Sequence, residues 1–197
     1  MIRGGIELSI DVQKILGSMK KYLDIPSPTG NTKEAILEIQ KDLEELGLST
    51  KMTNTGALIA TLKGQNDDDH VLISAHMDTL GGMVKEITND GKLRYTRVGG
   101  GSWSAVEGEN CHVITRKGKK IRGSIIPRMA STHIYGQEKA SVVRDQTNMF
   151  IRIDEIVKSK KDVLDLGIRV GDYIAMDTRT EITESGFVKS RYLDNKL

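Results

Sequence analysis

His76 and Asp78 are the residues whose types and spacing most clearly suggest chemistry. They follow an apolar run at 71–75, which predicts a buried strand, and open α/β sheets build their sites at the carboxyl ends of such strands. In an extended chain, side chains two positions apart point to the same side. His76 could therefore bind a metal ion through one ring nitrogen while Asp78 orients the ring. A histidine at a strand end can also simply pack or cap, so the pair alone leaves both interpretations open.

Asp194 is the second candidate, in the run Leu-Asp-Asn near the end of the sequence. It follows a long β-rich stretch, at the point where the chain is predicted to rejoin the α/β sheet. An isolated aspartate in such a run is commonly a helix N-cap or a turn residue. Its residue type does not choose between those roles and that of a metal ligand.

Two helices and three strands are predicted around the His76 motif. Apolar residues recur at helical spacing over 12–23 and predict an amphipathic helix of about four turns. A second helix is predicted between an N-cap at Asn31 and a closing Gly47. Short strands are expected near 50–53, 57–62 and 71–75, and the last is apolar without alternation, as in a strand covered on both faces.

The predicted secondary structure changes after Gly82 from mixed helices and strands to mainly strands. The turn Asn89-Asp-Gly between 83–88 and 93–98 predicts a hairpin, and a second hairpin is predicted from 111–115 and 121–126. The stretch 129–145 is interpreted as a long, mobile surface loop. A short helix follows, with a capping-box-like start at Ser159-Lys-Lys-Asp162 and an end at Gly167, and then a strand near 173–177. An α/β segment is therefore interrupted by roughly a hundred residues of β-rich sequence.

Composition excludes several functional classes. The 29 Lys and Arg nearly cancel the 27 Asp and Glu, and aromatic residues make up only 4%, which argues against nucleic acid or an anionic membrane as a partner. The single cysteine, Cys111, cannot form an internal disulfide and is predicted to be structural. No apolar run approaches the ~20 residues of a membrane helix, and the N-terminus lacks a signal peptide. A soluble, cytoplasmic protein is predicted.

Several motifs occur in an order that resembles one known family. They are Tyr22-Leu-Asp-Ile-Pro-Ser-Pro-Thr-Gly, Ala75-His-Met-Asp-Thr-Leu-Gly, Ile114-Thr-Arg-Lys-Gly, Leu166-Gly-Ile-Arg-Val-Gly-Asp and Ser190-Arg-Tyr-Leu-Asp-Asn-Lys. Together they resemble the glutamyl-aminopeptidase, or tetrahedral aminopeptidase, family of co-catalytic metallopeptidases, sometimes labelled cellulase M. Other two-metal exopeptidases generally reach their bridging aspartate soon after His-x-Asp, so the β-rich interval favours this family over its relatives.

The resemblance implies a fold and a site. The fold is α/β, an exopeptidase-type catalytic domain, incomplete here, with an inserted β-barrel-like dimerisation domain. The implied parts are 1–81 for the first catalytic segment, 82–185 for the insert and 186–197 for the return to the catalytic domain. His76 would bind one metal ion, Asp78 would support it as a catalytic-site residue, and Asp194 would bridge two ions. The cofactors would be two divalent metal ions, zinc first, with cobalt or manganese as alternatives.

The resemblance also implies an activity and partners. The reaction would be removal of N-terminal residues from short peptides by a water that two metal ions activate. The protein would form homo-oligomers, as a dimer and also as a tetrahedral dodecamer, with the loop at 129–145 near a neighbouring subunit.

The family pattern is incomplete in these 197 residues. Its later segment supplies an adjacent Glu pair, including the general base, and then an Asp and a His, none of which can be matched. We therefore expect this chain alone to be inactive and to leave an apolar surface exposed, which favours association. One alternative is a non-catalytic assembly or dimerisation remnant of such an enzyme. A glycoside hydrolase is a weaker alternative, because it needs two positioned carboxylates that the sequence does not nominate.

Overall fold

The computed structural model describes residues 10–66 and 68–194, and two helices open this part of the chain. Helix α1 (Val12–Asp24) begins at Asp11, whose Oδ1 accepts a hydrogen bond from the Lys14 amide at 3.0 Å. Helix α2 (Lys33–Glu45) begins at Thr32. The predicted N-cap at Asn31 is wrong, because the Asn31 amide donates to the Pro28 carbonyl at 2.7 Å and so belongs to the preceding turn.

A two-stranded antiparallel hairpin, β1 (Ser49–Met52) and β2 (Leu58–Thr61), follows α2. The strand predicted at 71–75 is not found: no strand lies between 68 and 80 in the described part of the chain. Val71, Leu72 and Ile73 are 88%, 90% and 89% exposed. A strand requires a neighbour for its backbone N–H and C=O groups, and within the described residues this run has neither a paired strand nor a covering face.

Six strands form a closed barrel in the order β3-β4-β7-β6-β5-β8. They are β3 (Gly81–Ile87), β4 (Leu93–Val98), β5 (Asn110–Ile114), β6 (Lys120–Pro127), β7 (Met149–Ile153) and β8 (Tyr173–Met176). Every pairing is antiparallel. The predicted hairpins β3–β4 and β5–β6 are confirmed, as is the barrel-like form of the insert. The boundaries 82–185 stay a prediction.

Alternate barrel residues point inward and form the core, as the period of two in a strand requires. Val84, Val113 and Ile174 are fully buried there or nearly so. Tyr95 is also buried and meets Trp103 edge-on, with ring centroids 5.1 Å apart. Cys111 lies in the same core, and burial raises the pKa of its thiol to about 12, which fits the structural role predicted for it.

Short elements complete the fold. The predicted surface loop contains two single-turn helices, α3 (Thr132–Tyr135) and α4 (Glu138–Ser141). Helix α5 (Lys160–Asp165) is capped by Ser159, as predicted. Strands β9 (Glu181–Ile182) and β10 (Val188–Lys189) form a small hairpin after the barrel. None of the helices in the described ranges is long and apolar enough to cross a membrane.

Candidate metal centre

The turn after α1 holds the His76 motif in place. Ser27 Oγ donates to the Met77 carbonyl at 2.6 Å, and Thr29 Oγ1 donates to Asp78 Oδ2 at 2.6 Å. The Thr79 amide donates to the Ser27 carbonyl at 2.8 Å. These bonds attach residues 77–79 to the Pro-rich turn although the run before them is unpaired, so the position of Asp78 does not depend on a strand at 71–75.

The three predicted site residues come together in the structure. His76 Nδ1 lies 3.0 Å from Asp78 Oδ1 and 3.2 Å from the Asp78 carbonyl oxygen. His76 Nε2 lies 3.2 Å from Asp194 Oδ2. The imidazole thus has one aspartate at each nitrogen. All three side chains are between one third and two thirds exposed, so the centre is open to solvent.

The electrostatics of this cluster act on His76. Partial desolvation lowers the pKa of His76, but the hydrogen bond to the Asp78 backbone and the charges of Asp194 and Asp78 outweigh it and raise the pKa above 6.5. His112 is the natural comparison, because it also meets a carboxylate, Asp177, at 3.1 Å. There burial is the larger effect and lowers the pKa of His112.

We expect the two histidines to titrate on opposite sides of 6.5 in the metal-free protein. A pKa raised on folding stabilises the folded state below the unfolded pKa, and this contribution is lost as pH rises through the folded pKa. Since His76 is half exposed, solvent screening keeps its contribution small. Proton–carbon NMR spectra of the imidazole rings, assigned with a His76→Ala variant, measure both values. A pKa for His76 at or below that of His112 would contradict the carboxylate contacts.

The segment carrying Asp194 is held by groups that sequence reasoning missed. The Arg191 amide donates to the Thr178 carbonyl at 3.0 Å, and its guanidinium contacts Glu109 at 2.8 Å. Arg191 lies in the last motif of the family resemblance, so the sequence contained a signal that could have identified it. Glu109 precedes β5 and stands in no motif, so no sequence signal could have found it.

The donor set fits a divalent cation. Imidazole nitrogen and carboxylate oxygen are ordinary ligands of zinc. Two such ligands at 2.0–2.1 Å from a tetrahedral ion stand roughly 3.3 Å apart, close to the 3.2 Å between His76 Nε2 and Asp194 Oδ2. Within residues 10–66 and 68–194, no group of three or more His, Cys, Asp or Glu side chains is placed to hold a metal ion. At this centre the described residues therefore provide two ligands for one metal ion, His76 and Asp194.

A closed antiparallel barrel, with a His-Asp-Asp cluster contributed by residues before and after it in the chain, agrees with the fold that the family resemblance implies. The chain belongs to the M42 glutamyl aminopeptidase family, whose sequence profile matches residues 56–197. The family resemblance drawn from the motifs is thereby confirmed, and so is the fold class.

Curated relatives cover nearly all of this chain. The YhfE protein of Bacillus subtilis (strain 168), provisionally named an aminopeptidase, is 45% identical over 94% of this chain and 53% of its own length. The lysyl aminopeptidase of Pyrococcus furiosus is 26% identical over 91% of this chain and 50% of its own length. The glutamyl aminopeptidase of Lactococcus lactis is 25% identical over 93% of this chain and 51% of its own length. The chain spans about half the length of these relatives.

Solved structures agree with the fold. The PhTET1-12s dodecamer superposes with a TM-score of 0.76 at 26% identity, over 92% of this chain and 51% of that one. The TET1 peptidase of Pyrococcus horikoshii superposes with a TM-score of 0.72 at 26% identity, over 87% of this chain and 49% of that one. That peptidase can assemble into a tetrahedron or a large octahedral shell.

Proposed function

We propose that this chain is the N-terminal part of a metal-dependent aminopeptidase that removes N-terminal residues from short peptides. The observation that carries the proposal is the 3.2 Å separation of His76 Nε2 and Asp194 Oδ2. Membership of the M42 glutamyl aminopeptidase family supports the reaction class, and the named activities of the lysyl and glutamyl relatives support it further.

His76, Asp78 and Asp194 have different proposed roles at the metal centre. His76 and Asp194 would hold one divalent ion, and Asp194 would also contribute to holding a second. Asp78 would orient the imidazole from its other nitrogen, which also makes the ring a better ligand. Bound metal supplies Lewis-acid polarisation of the peptide carbonyl and an activated water. Zinc suits this nitrogen and oxygen pair best, with cobalt or manganese as alternatives.

Homo-oligomers in the cytoplasm are the second part of the proposal. The dodecamer and the tetrahedral or octahedral shells of the two similar structures support assembly from copies of one chain. The insert at 82–185 would provide the dimer contacts, with the segment at 129–145 near a neighbouring subunit.

These 197 residues alone would have negligible peptidase activity. A catalytic zinc normally has about three protein ligands, and the described residues provide two at this centre. This observation also favours the second candidate function, a non-catalytic assembly partner of the same family. Metal-dependent release of arylamine from aminoacyl anilides by the pure chain would contradict both statements.

Zinc binding tests the proposed centre directly. We expect the chain to bind Zn²⁺ in isothermal titration calorimetry and a His76→Ala variant to lose more than about 100-fold in affinity, because removal of a ligand exceeds the 10–100-fold effect of changing an outer-shell partner. His133→Ala is the control, since His133 lies in α3 and is not part of the cluster. Equal zinc affinity in the chain and its His76→Ala variant would refute the proposal.

A further inference from the structure

Glu109 is a carboxylate fixed rigidly to the barrel. Its amide donates to the Val106 carbonyl at 3.2 Å, and its carbonyl accepts from the Ile125 amide at 2.8 Å. The side chain is only 14% exposed. The backbone of Glu109 is therefore attached to the barrel, and its carboxylate is largely shielded from solvent.

The Glu109 carboxylate binds the chain just before Asp194. Its Oε1 lies 2.8 Å from Arg191 Nη2 in an ion pair and accepts a hydrogen bond from Arg179 Nη2 at 2.7 Å. Arg191 is 21% exposed, and its Nη2 also donates to the Ala105 carbonyl at 3.0 Å. Arg191 is thus attached to the barrel through its side chain, in addition to its backbone bond.

The step from Arg191 to Asp194 is a strained turn. Tyr192 has a φ of +64°, and the Asp194 amide donates to the Tyr192 carbonyl at 2.9 Å. A left-handed residue other than glycine persists only when its surroundings impose it. Arg191 is the anchored residue next to this turn, so it is the nearest fixed point from which the backbone runs to Asp194.

We propose that Glu109 is a positioning residue, which acts through Arg191 to hold Asp194 beside His76. The inserted barrel then contributes to the geometry of the metal centre as well as to assembly. This inference rests on the proposed metal-binding function of His76 and Asp194, and it concerns a residue outside every motif of the chain.

The barrel provides a matched control pair. Glu107 accepts from Arg144 Nε at 2.6 Å and from Arg144 Nη2 at 3.2 Å, with the two side chains 28% and 25% exposed. Glu107–Arg144 therefore resembles Glu109–Arg191 in residue types and burial and lies two residues away in sequence. No described contact joins it to the segment that carries Asp194.

The test compares Glu109→Gln with Glu107→Gln in the full 197-residue chain. We expect Glu109→Gln to weaken Zn²⁺ binding about ten-fold, the lower end of the effect of an outer-shell partner, and to speed hydrogen–deuterium exchange at the Arg191 amide. Glu107→Gln should match the parent chain in both measurements. Parent-like zinc affinity and Arg191 exchange in Glu109→Gln would overturn the inference.

Circular dichroism and thermal unfolding separate positioning from a loss of fold. If Glu109→Gln does not fold, Arg191→Lys takes its place, because it keeps the positive charge and removes the planar group that reaches both Glu109 and Ala105. The same weakening of zinc binding is expected, and parent-like binding would overturn the inference. A parent chain that binds no zinc would refute the proposed metal centre instead. The rate of hydrogen–deuterium exchange at the Arg191 amide, compared between the parent chain and the Glu109→Gln variant, then decides whether Glu109 holds this segment.

Discussion

Replacing Ile174 by alanine is expected to lower the free energy of unfolding of the barrel by about 2–5 kcal/mol, the range for large-to-small changes in a core. Ile174 is fully buried in β8, where it pairs with Gly82 on one side and Val113 on the other. A Cβ added at Gly82 would lie 2.9 Å from the Tyr95 ring and 3.5 Å from Ile174, so both side chains pack close to this glycine.

Urea unfolding followed by tryptophan fluorescence measures this loss. Trp103 is the single tryptophan of the chain and packs against the buried Tyr95, so its emission reports the barrel. Ile156→Ala is the matched control, because Ile156 is 95% exposed and surface substitutions usually change stability by no more than about 0.5 kcal/mol. Similar losses in the two variants would contradict the packing described for β8.

A Leu72→Lys variant is expected to shift the chain from self-association toward monomer. Val71, Leu72 and Ile73 are about nine-tenths exposed in succession. Contiguous apolar surface of this kind favours association, and a run outside any sheet also presents backbone groups to a second copy. A lysine in the middle of the run places a charge where association would bury it, which is costly without a partner.

Sedimentation velocity over a range of protein concentrations tests this expectation. Ile156→Lys is the control, since it adds the same charge at an isolated exposed isoleucine on the barrel and should leave the association unchanged. A parent chain that sediments as a monomer throughout would contradict the prediction. So would an equal effect of the two lysine variants, because the response would then follow net charge rather than the apolar run.

Helix and hairpin predictions succeeded where the signals are local. The turn at Asn89-Asp-Gly and the cap at Ser159 each act within a few residues, and the structure contains the hairpin and the helix that they predict. The family resemblance of the motif at 190–196 implied a metal-binding role for Asp194, which stays a prediction. Strand β7 was missed, because its assignment depends on pairing with β4 and β6 rather than on its own residues.

The strand at 71–75 failed for a related reason. Its apolar residues describe what the run would bury, but a strand exists only where another strand satisfies its backbone. The described residues contain no such partner, so the run forms no strand and stays exposed. The position of His76 survives this failure because the turn after α1, through Ser27 and Thr29, holds the residues that follow it.

Residue types and short-range patterns were therefore sufficient to raise His76 and Asp78 as candidates and to predict the two N-terminal helices, two hairpins and a β insert, whereas the metal-binding role of Asp194 was implied by the family resemblance. Tertiary structure alone decided that His76 Nε2 and Asp194 Oδ2 lie 3.2 Å apart. It also decided that six strands close into a barrel and that Glu109 contacts Arg191. The physical reason is distance along the chain: turns and caps are set by neighbouring residues, whereas barrel closure and the His76–Asp194 contact depend on packing between segments far apart in sequence.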